Sequence, residues 1–343
     1  MNFEIKDYGS YQGQSYDEIC IYHEDVVIGF SNLGARITRW ETQNKGNIIL
    51  SFDSADQCFA HRGYYYGATV GRVAGRIKRG QFEWQGKTYQ LDQNENVNHL
   101  HGGTQGFDIQ SWDYEIFQTE DAIEIHFTYV DSDGMNGYPG QLQVKVIHRY
   151  QANHCWTVEF QAESTKDTLF NPTNHVYFNL NGNLTKDIQN HTLKANVSHY
   201  APVEADGIPL GSLISVENTP FDIRQATLVR DILNSQDRQI QLKQGFDHGF
   251  LFDNSSTHQL MIGNRDSNLQ IKIETTQPAL VIYLHNFADE SVTVHGNPLM
   301  PYAGIAIETQ VLPDAIHCPD FGNIVLKRGQ NYISSTTYRL IKE

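Results

Sequence analysis

The chain has no apolar run near the ~18–20 residues that a membrane-crossing helix needs, so no span is expected. Basic residues are in deficit: 25 Lys and Arg face 40 Asp and Glu, and the formal net charge is −15. Nucleic acid and anionic membrane surfaces both ask for a basic face, so neither is an expected partner. The acidic excess itself points to solubility and names no partner. Cysteine is sparse. Cys20, Cys58, Cys155 and Cys318 form no Cys-x-x-Cys pair, which argues against a zinc knuckle or a redox motif. Cys20 and Cys155 lie in strand-like runs, where a thiol acts as a small apolar group. This usage suits a reducing cytoplasm. The stretch MNFEIKDYGS has no basic n-region and no apolar segment, so it is not expected to be a signal peptide. Pro- or Ser-rich linkers, internal repeats and low-complexity tracts are missing too. With 343 residues and no break in composition, 1–343 reads as one domain with a substantial core.

Helical periodicity is also scarce. The best candidate is short: 226–235, ATLVRDILNS. The period that dominates is two. Ile123, Ile125, Phe127 and Tyr129 alternate with polar residues, as do Leu142, Val144 and Val146, then Trp156, Val158 and Phe160, then Leu269, Ile271 and Ile273. Such alternation predicts strands with one buried and one wet face. Asp-Gly at 133–134 and 206–207 and Asn-Gly at 136–137 and 181–182 supply turns. Many strands and few helices predict an all-β chain, a large antiparallel β-sandwich with few short helices. Residues 51–66 and 199–247 read as irregular, and loops of that length are often functional.

Five segments carry residues suited to chemistry. In GRVAGRIKRG, 71–80, Arg72, Arg76 and Arg79 alternate with glycines; the spacing is not that of a phosphate loop. Either this is a turn and an exposed edge strand, or one arginine enters a polar pocket, where its fork of donors holds oxygens. In NHLHGG, 98–103, His99 and His101 would share a face of a regular strand. They form a His-x-His metal pair, or only His101 faces a site, or both are structural. In NPTNHVYFNL, 171–180, regular alternation puts His175 on one side with Tyr177 and Asn179. Histidine exchanges protons near neutral pH without a metal. Asp247, in QGFDHGF, is either a turn cap or a ligand-binding carboxylate. In GIAIETQ, 304–310, Glu308 shares a face with Gly304, Ala306 and Gln310, while Ile305 and Ile307 form the other. A glutamate on a buried-looking strand needs a partner or a task.

NLGAR at 32–36, GRxxGR at 71–76, LHGG at 100–103, GYPG at 137–140, NPTNHVYFNL, GFDH at 245–248 and GIAIETQ occur in one order along nearly the whole chain. This ordered set resembles the galactose mutarotase (aldose 1-epimerase) family. The resemblance implies a β-sandwich with an open cleft across one sheet, no cofactor and no metal, and reversible interconversion of α and β aldose anomers. It makes His175 the general acid/base, Glu308 the catalytic carboxylate and His101 a second active-site histidine. Arg76 and Asp247 become sugar contacts. Beside His175 in the sequence, Tyr177 and Asn174 are expected to be substrate-binding as well. Gly75 stands where many members have Asn, and His99 matches no family role. The implied partner is a small aldose; the sequence leaves the assembly open between monomer and homodimer. Glu308 ionised and His175 protonated would suit removal of the C1 hydroxyl proton and protonation of the ring oxygen. Three other readings stay open: a metal-dependent jelly roll built on His99 and His101, a non-catalytic sugar-binding module, and a hexose-phosphate mutarotase.

Overall fold

The computed structural model describes residues 1–253 and 258–342. The alternating segments are strands, and they pair largely with their sequence neighbours. Five strands between Asn2 and Asn47 form a meander. A nine-stranded sheet follows the spatial order Asp113–Gln118, Ala122–Asp131, Leu142–Gln151, Cys155–Ser164, Tyr332–Lys342, Leu269–Thr275, His258–Asn264, His191–Ala195 and Thr227–Leu228. A six-stranded sheet runs Tyr177–Phe178, Ile305–Gln310, Ala279–Tyr283, Asp247–Phe252, Val197–Ala201 and Ile214–Ser215. Neighbouring strands within these three sheets are antiparallel.

The two larger sheets face each other across one core. Ile305, Ile307, Leu280, Ile282 and Phe250 of the six-stranded sheet are buried with Val146, Trp156, Phe160, Ile271 and Ile273 of the nine-stranded one. A hydrogen bond of 2.7 Å between the Thr309 and Thr336 hydroxyls ties the sheets together within this layer. The amino-terminal meander joins the same core, with Trp40 edge-on to Trp156 at 5.9 Å. Each aliphatic or aromatic side chain taken fully out of water contributes about 1.5–3 kcal/mol, which is what makes the period-two pattern binding. Because the inner face of the six-stranded sheet is committed to the core, its other face is left for a site.

Four expectations change in detail. The 226–235 helix is shorter, Val229–Leu233, because Thr227–Leu228 is claimed by the nine-stranded sheet. The stretches read as irregular contain helices at Ala55–Ala60 and Arg238–Lys243 and several short strands. Asp237 caps the second of these helices by accepting from the Gln239 amide at 2.8 Å. Segment 171–180 is not one strand. Thr173–Asn174 pairs with Thr69–Val70, then Tyr177–Phe178 pairs with Ile305–Ala306, so the chain changes partner at His175. The strict alternation breaks there, and Asn179 turns away to donate to the carbonyls of Lys186 and Ala303 at 2.8 and 2.7 Å.

The three arginines of GRVAGRIKRG divide their tasks. Arg79 is exposed in a turn, and Arg76 begins a short pairing with His99–Leu100. Arg72 is buried. It binds the Asp131 carboxylate at 2.5 Å and donates to the carbonyls of Pro139 and Gly140 at 3.0 and 2.8 Å. It thereby fastens the 71–76 segment to the 131–140 turn. Removing one partner of a buried pair leaves the other charge unpaired in low dielectric, at a cost of about 3–5 kcal/mol. Arg72→Ala is therefore expected to lose that much stability in urea unfolding, and Arg79→Ala less than about 0.5 kcal/mol. Equal, small losses for both would contradict this division.

Candidate active site

The outward face of the six-stranded sheet forms the floor of a cavity of about 280 Å³. Register places two rows of side chains there. Ala201, Gly249, Val281 and Glu308 are successive cross-strand partners, and so are Asp247, Tyr283, Ala306 and Tyr177. Small residues beside Glu308 make the floor concave. Glu308 is 4 % exposed, so its carboxyl lies at the bottom of that concavity.

The opposite wall comes from segments that the sandwich holds over this face. His175 is fixed by its backbone: its N–H donates to the Ala68 carbonyl at 2.9 Å, and its carbonyl accepts from the Gly67 N–H at 3.0 Å. Its Nε2 lies 3.4 Å from Glu308 Oε1. His175 Nδ1 and Glu308 Oε2 are buried and have no hydrogen-bond partner among the described residues. Unpartnered buried polar atoms are costly, and at a cavity a bound molecule can satisfy them. His101 stands edge-on to His175, with ring centroids 5.2 Å apart. It is locked to Gly75 twice over. Its N–H donates to the Gly75 carbonyl at 3.1 Å, and its Nδ1 accepts from the Gly75 N–H at 3.1 Å. Gly102 makes the turn after it; at φ +86°, any Cβ would sit 1.7 Å from the Gly71 carbonyl oxygen.

Charges ring this pair. Arg76 is gripped by both oxygens of Glu95 at 2.7 and 2.8 Å and borders the cavity. Asp247 pairs at 2.9 Å with Lys243, the last residue of the helix that precedes its strand. Burial works to raise the Asp247 carboxyl, but Arg76 and then Lys243 outweigh it and hold it below the usual range. Glu308 behaves oppositely. Burial, then the nearby Asp247, pushes its carboxyl up to about 8 against the opposing pull of Arg76. Burial also lowers His175 to about 4. The expectation of an ionised Glu308 and a protonated His175 at rest is therefore corrected. Desolvation favours the uncharged arrangement, with the single proton of the pair on Glu308.

The structure brings His175, Glu308, His101, Arg76, Asp247 and Tyr177 around one cavity. It does not bring Asn174, which is a second correction. The Asn174 amide donates to the Gly67 carbonyl at 2.8 Å and lies behind the wall. There it fixes the turn that carries Tyr65. The expected shared face of His99 and His101 is the third. His101 has φ 49°, so the strand ends at Leu100 and the two rings part. His99 Nδ1 donates to the Asp92 carbonyl at 2.6 Å and its Nε2 accepts from the Tyr138 hydroxyl at 2.7 Å. No His-x-His ligand pair is formed. Among the described residues, ligating atoms of His101, His175 and Glu308 do lie within 4.8 Å of one another. The donor set fits a metal poorly. A metal on His101 Nε2 would require a proton on Nδ1, facing the Gly75 N–H; a metal on Nδ1 would displace that bond.

Sequence reasoning passed over Tyr65, Lys243 and Glu95. Tyr65 packs on both histidines, at 4.8 Å from His101 and 5.9 Å from His175. It sits at φ 53° in the stretch read as irregular, and no periodicity marks it. Lys243 is the last residue of the helix Arg238–Lys243 and Asp247 the first of the next strand, so the pair forms across the intervening turn and no helical spacing marks it.

The large β-sandwich is the fold of solved galactose mutarotase-like proteins. The family model for aldose 1-epimerase matches residues 17–339. The aldose 1-epimerase of Escherichia coli strain K12 is 33 % identical over 295 residues, 84 % of either chain. The human galactose mutarotase is 31 % identical over 334 residues, 95 % of this chain and 94 % of its own. The crystal structure of galactose 1-epimerase from Lactobacillus acidophilus NCFM has a TM-score of 0.89 at 29 % identity, covering 99 % of this chain and 98 % of that one. The chain belongs to the aldose 1-epimerase family, isomerases that interconvert anomers.

His101 is held neutral: burial, then the neighbouring His175 and Arg76, keep it well below the ordinary imidazole range. With Nδ1 accepting, its proton is on Nε2. Nitrogen-detected NMR is expected to show this single tautomer from pH 8 to pH 5. Protonation near pH 6.5 would contradict it.

Proposed function

We propose that residues 1–343 act as one aldose 1-epimerase domain that interconverts the α and β anomers of D-galactose, and of D-glucose, by acid/base ring opening. The observation that carries this reading is the buried His175–Glu308 pair, 3.4 Å apart, each with an unpartnered polar atom at the cavity. A non-catalytic binding module has no use for a matched acid and base. Phosphorylated hexoses suit the cavity less well, because Arg76 and Lys243 are already neutralised by Glu95 and Asp247.

Glu308 as carboxylate takes the C1 hydroxyl proton while His175 as imidazolium gives its proton to the ring oxygen. The C1–O5 bond breaks and the C1 aldehyde forms. Rotation about C1–C2 turns the other carbonyl face to the O5 hydroxyl. Closure returns both protons and forms the other anomer. Opening thus converts the charged pair into the uncharged one, and closure reverses this. The uncharged pair is the resting state, and sugar binding moves the proton from Glu308 to His175 as hydroxyl groups solvate the charges. His101 donates from Nε2, Asp247 accepts sugar hydroxyls, and Arg76 donates to them. Fixing the sugar in this way removes the entropy cost of alignment. The unpaired thiols, Cys20, Cys58, Cys155 and Cys318, fit a reducing compartment such as the cytoplasm.

Polarimetry of freshly dissolved α-D-galactose tests the reading. Chelator-treated protein should speed the decay to the unchanged final rotation. No acceleration with galactose or glucose would sink the proposal, and activity that needs added metal would favour a metal site. His175→Ala and Glu308→Gln should each fold and lose roughly 10²–10⁴-fold in kcat. Near-normal turnover by either would remove that residue from the mechanism. Asp247→Asn should raise KM about tenfold, the scale of one charged hydrogen bond. Unchanged KM and kcat would reduce Asp247 to a partner of Lys243.

A further inference from the structure

Gln310 is wholly buried, yet it borders the cavity. Among the described residues, its amide nitrogen and its amide oxygen both lack a hydrogen-bond partner. A primary amide brings two donors and an acceptor, and leaving all of them unmade inside a protein is strongly unfavourable. Nothing in its own row relieves this. Its cross-strand neighbour is Ala279, and Leu251 lies beyond, so the two nearest members of the row are apolar. Gln310 is two residues from Glu308 on the same strand, and the two share the cavity face. Asp247 belongs to the row on the other side of Glu308, with Tyr283 and Ala306. Polar groups therefore stand on both sides of the catalytic carboxyl, one charged and satisfied by Lys243, the other neutral and unsatisfied.

We infer that Gln310 is a substrate-contacting, specificity-determining residue. It binds one hydroxyl of the aldose, donating from Nε2 or accepting at Oε1, on the side of Glu308 away from Asp247. The inference rests on the reading of the cavity as an aldose site. A neutral amide suits a hydroxyl, which both donates and accepts, and gains nothing special from a carboxylate or phosphate. An amide held on a rigid central strand also fixes where that hydroxyl must lie. It therefore discriminates between aldoses that differ at one carbon. A site built to hydrogen-bond a hydroxyl rejects the analogue that lacks it.

The test compares wild type with Q310M, whose side chain is close in size and has no amide. Mutarotation is measured on galactose and on its 2-, 3-, 4- and 6-deoxy analogues. Q310M should raise KM for galactose about tenfold with kcat nearly unchanged. One deoxy sugar should be poor for wild type yet no poorer for Q310M than galactose is. Equal losses on galactose and on every deoxy sugar, or no loss at all, would overturn the inference and leave Gln310 a packing residue. A readout on wild type needs no variant. The Gln310 side-chain amide resonances should shift with saturating galactose and stay in place with the discriminating deoxy sugar; resonances unmoved by galactose would overturn the inference. Wild type inert toward every aldose would instead overturn the anomerase reading, and this inference with it. Active wild type with a flat comparison overturns the inference alone.

Discussion

A carboxyl group buried beside a buried imidazole is the constraint on which the account turns. Neither Glu308 nor His175 keeps a charge easily in this cavity, because burial raises one to about 8 and lowers the other to about 4. Together they hold one proton over a wide pH interval. Moving that proton between them costs no exchange with solvent. The reaction proposed for the family site asks for this property, since one group must take a proton as the other gives one. Burial supplies it, and the concave row of Ala201, Gly249, Val281 and Glu308 supplies the burial.

The surroundings serve to hold that pair still. His175 is pinned by its own backbone at the point where its segment changes partner. His101 is clamped by Gly75 at both its N–H and its Nδ1, which settles its tautomer. Gly75 has φ +76°, and a Cβ there would meet Pro313 at 2.8 Å, so glycine fits the backbone this clamp needs. Asp247 is kept ionised by Arg76 and Lys243, and Arg76 is kept in place by Glu95. Supporting contacts of this kind decide whether a reactive pair sits in a productive geometry.

Much of this was legible in the sequence, for stated reasons. Period-two alternation marked the long strands because one face of each is committed to a shared core. On the strand Ile305–Gln310 the same rule put Glu308 and Gln310 together, away from Ile305 and Ile307. Where strands are two residues long the rule failed. It put Asn179 beside His175, although the chain changes partner between them. It put His99 beside His101, although a left-handed residue ends the strand. Asn174 was drawn toward the site by its neighbour in sequence, while its amide supports the Gly67 turn. The resting charge state was out of reach, because desolvation depends on depth and residue type does not report depth. Tyr65 and Lys243 belong to segments whose local pattern resembles irregular loop.

The pH dependence of kcat/KM for galactose tests the buried pair most directly, since it reports ionisations of the free enzyme. The active free enzyme carries one proton on the pair. Below about 4, His175 gains a second proton; above about 8, Glu308 loses the only one. The account predicts a plateau between these limits, their values belonging to the pair jointly, and loss of the limb near 8 in Glu308→Gln. A plateau confined between about 4.3 and 6.5, the ordinary values of the two groups, would mean that the pair is neither desolvated nor uncharged at rest, and would contradict the account.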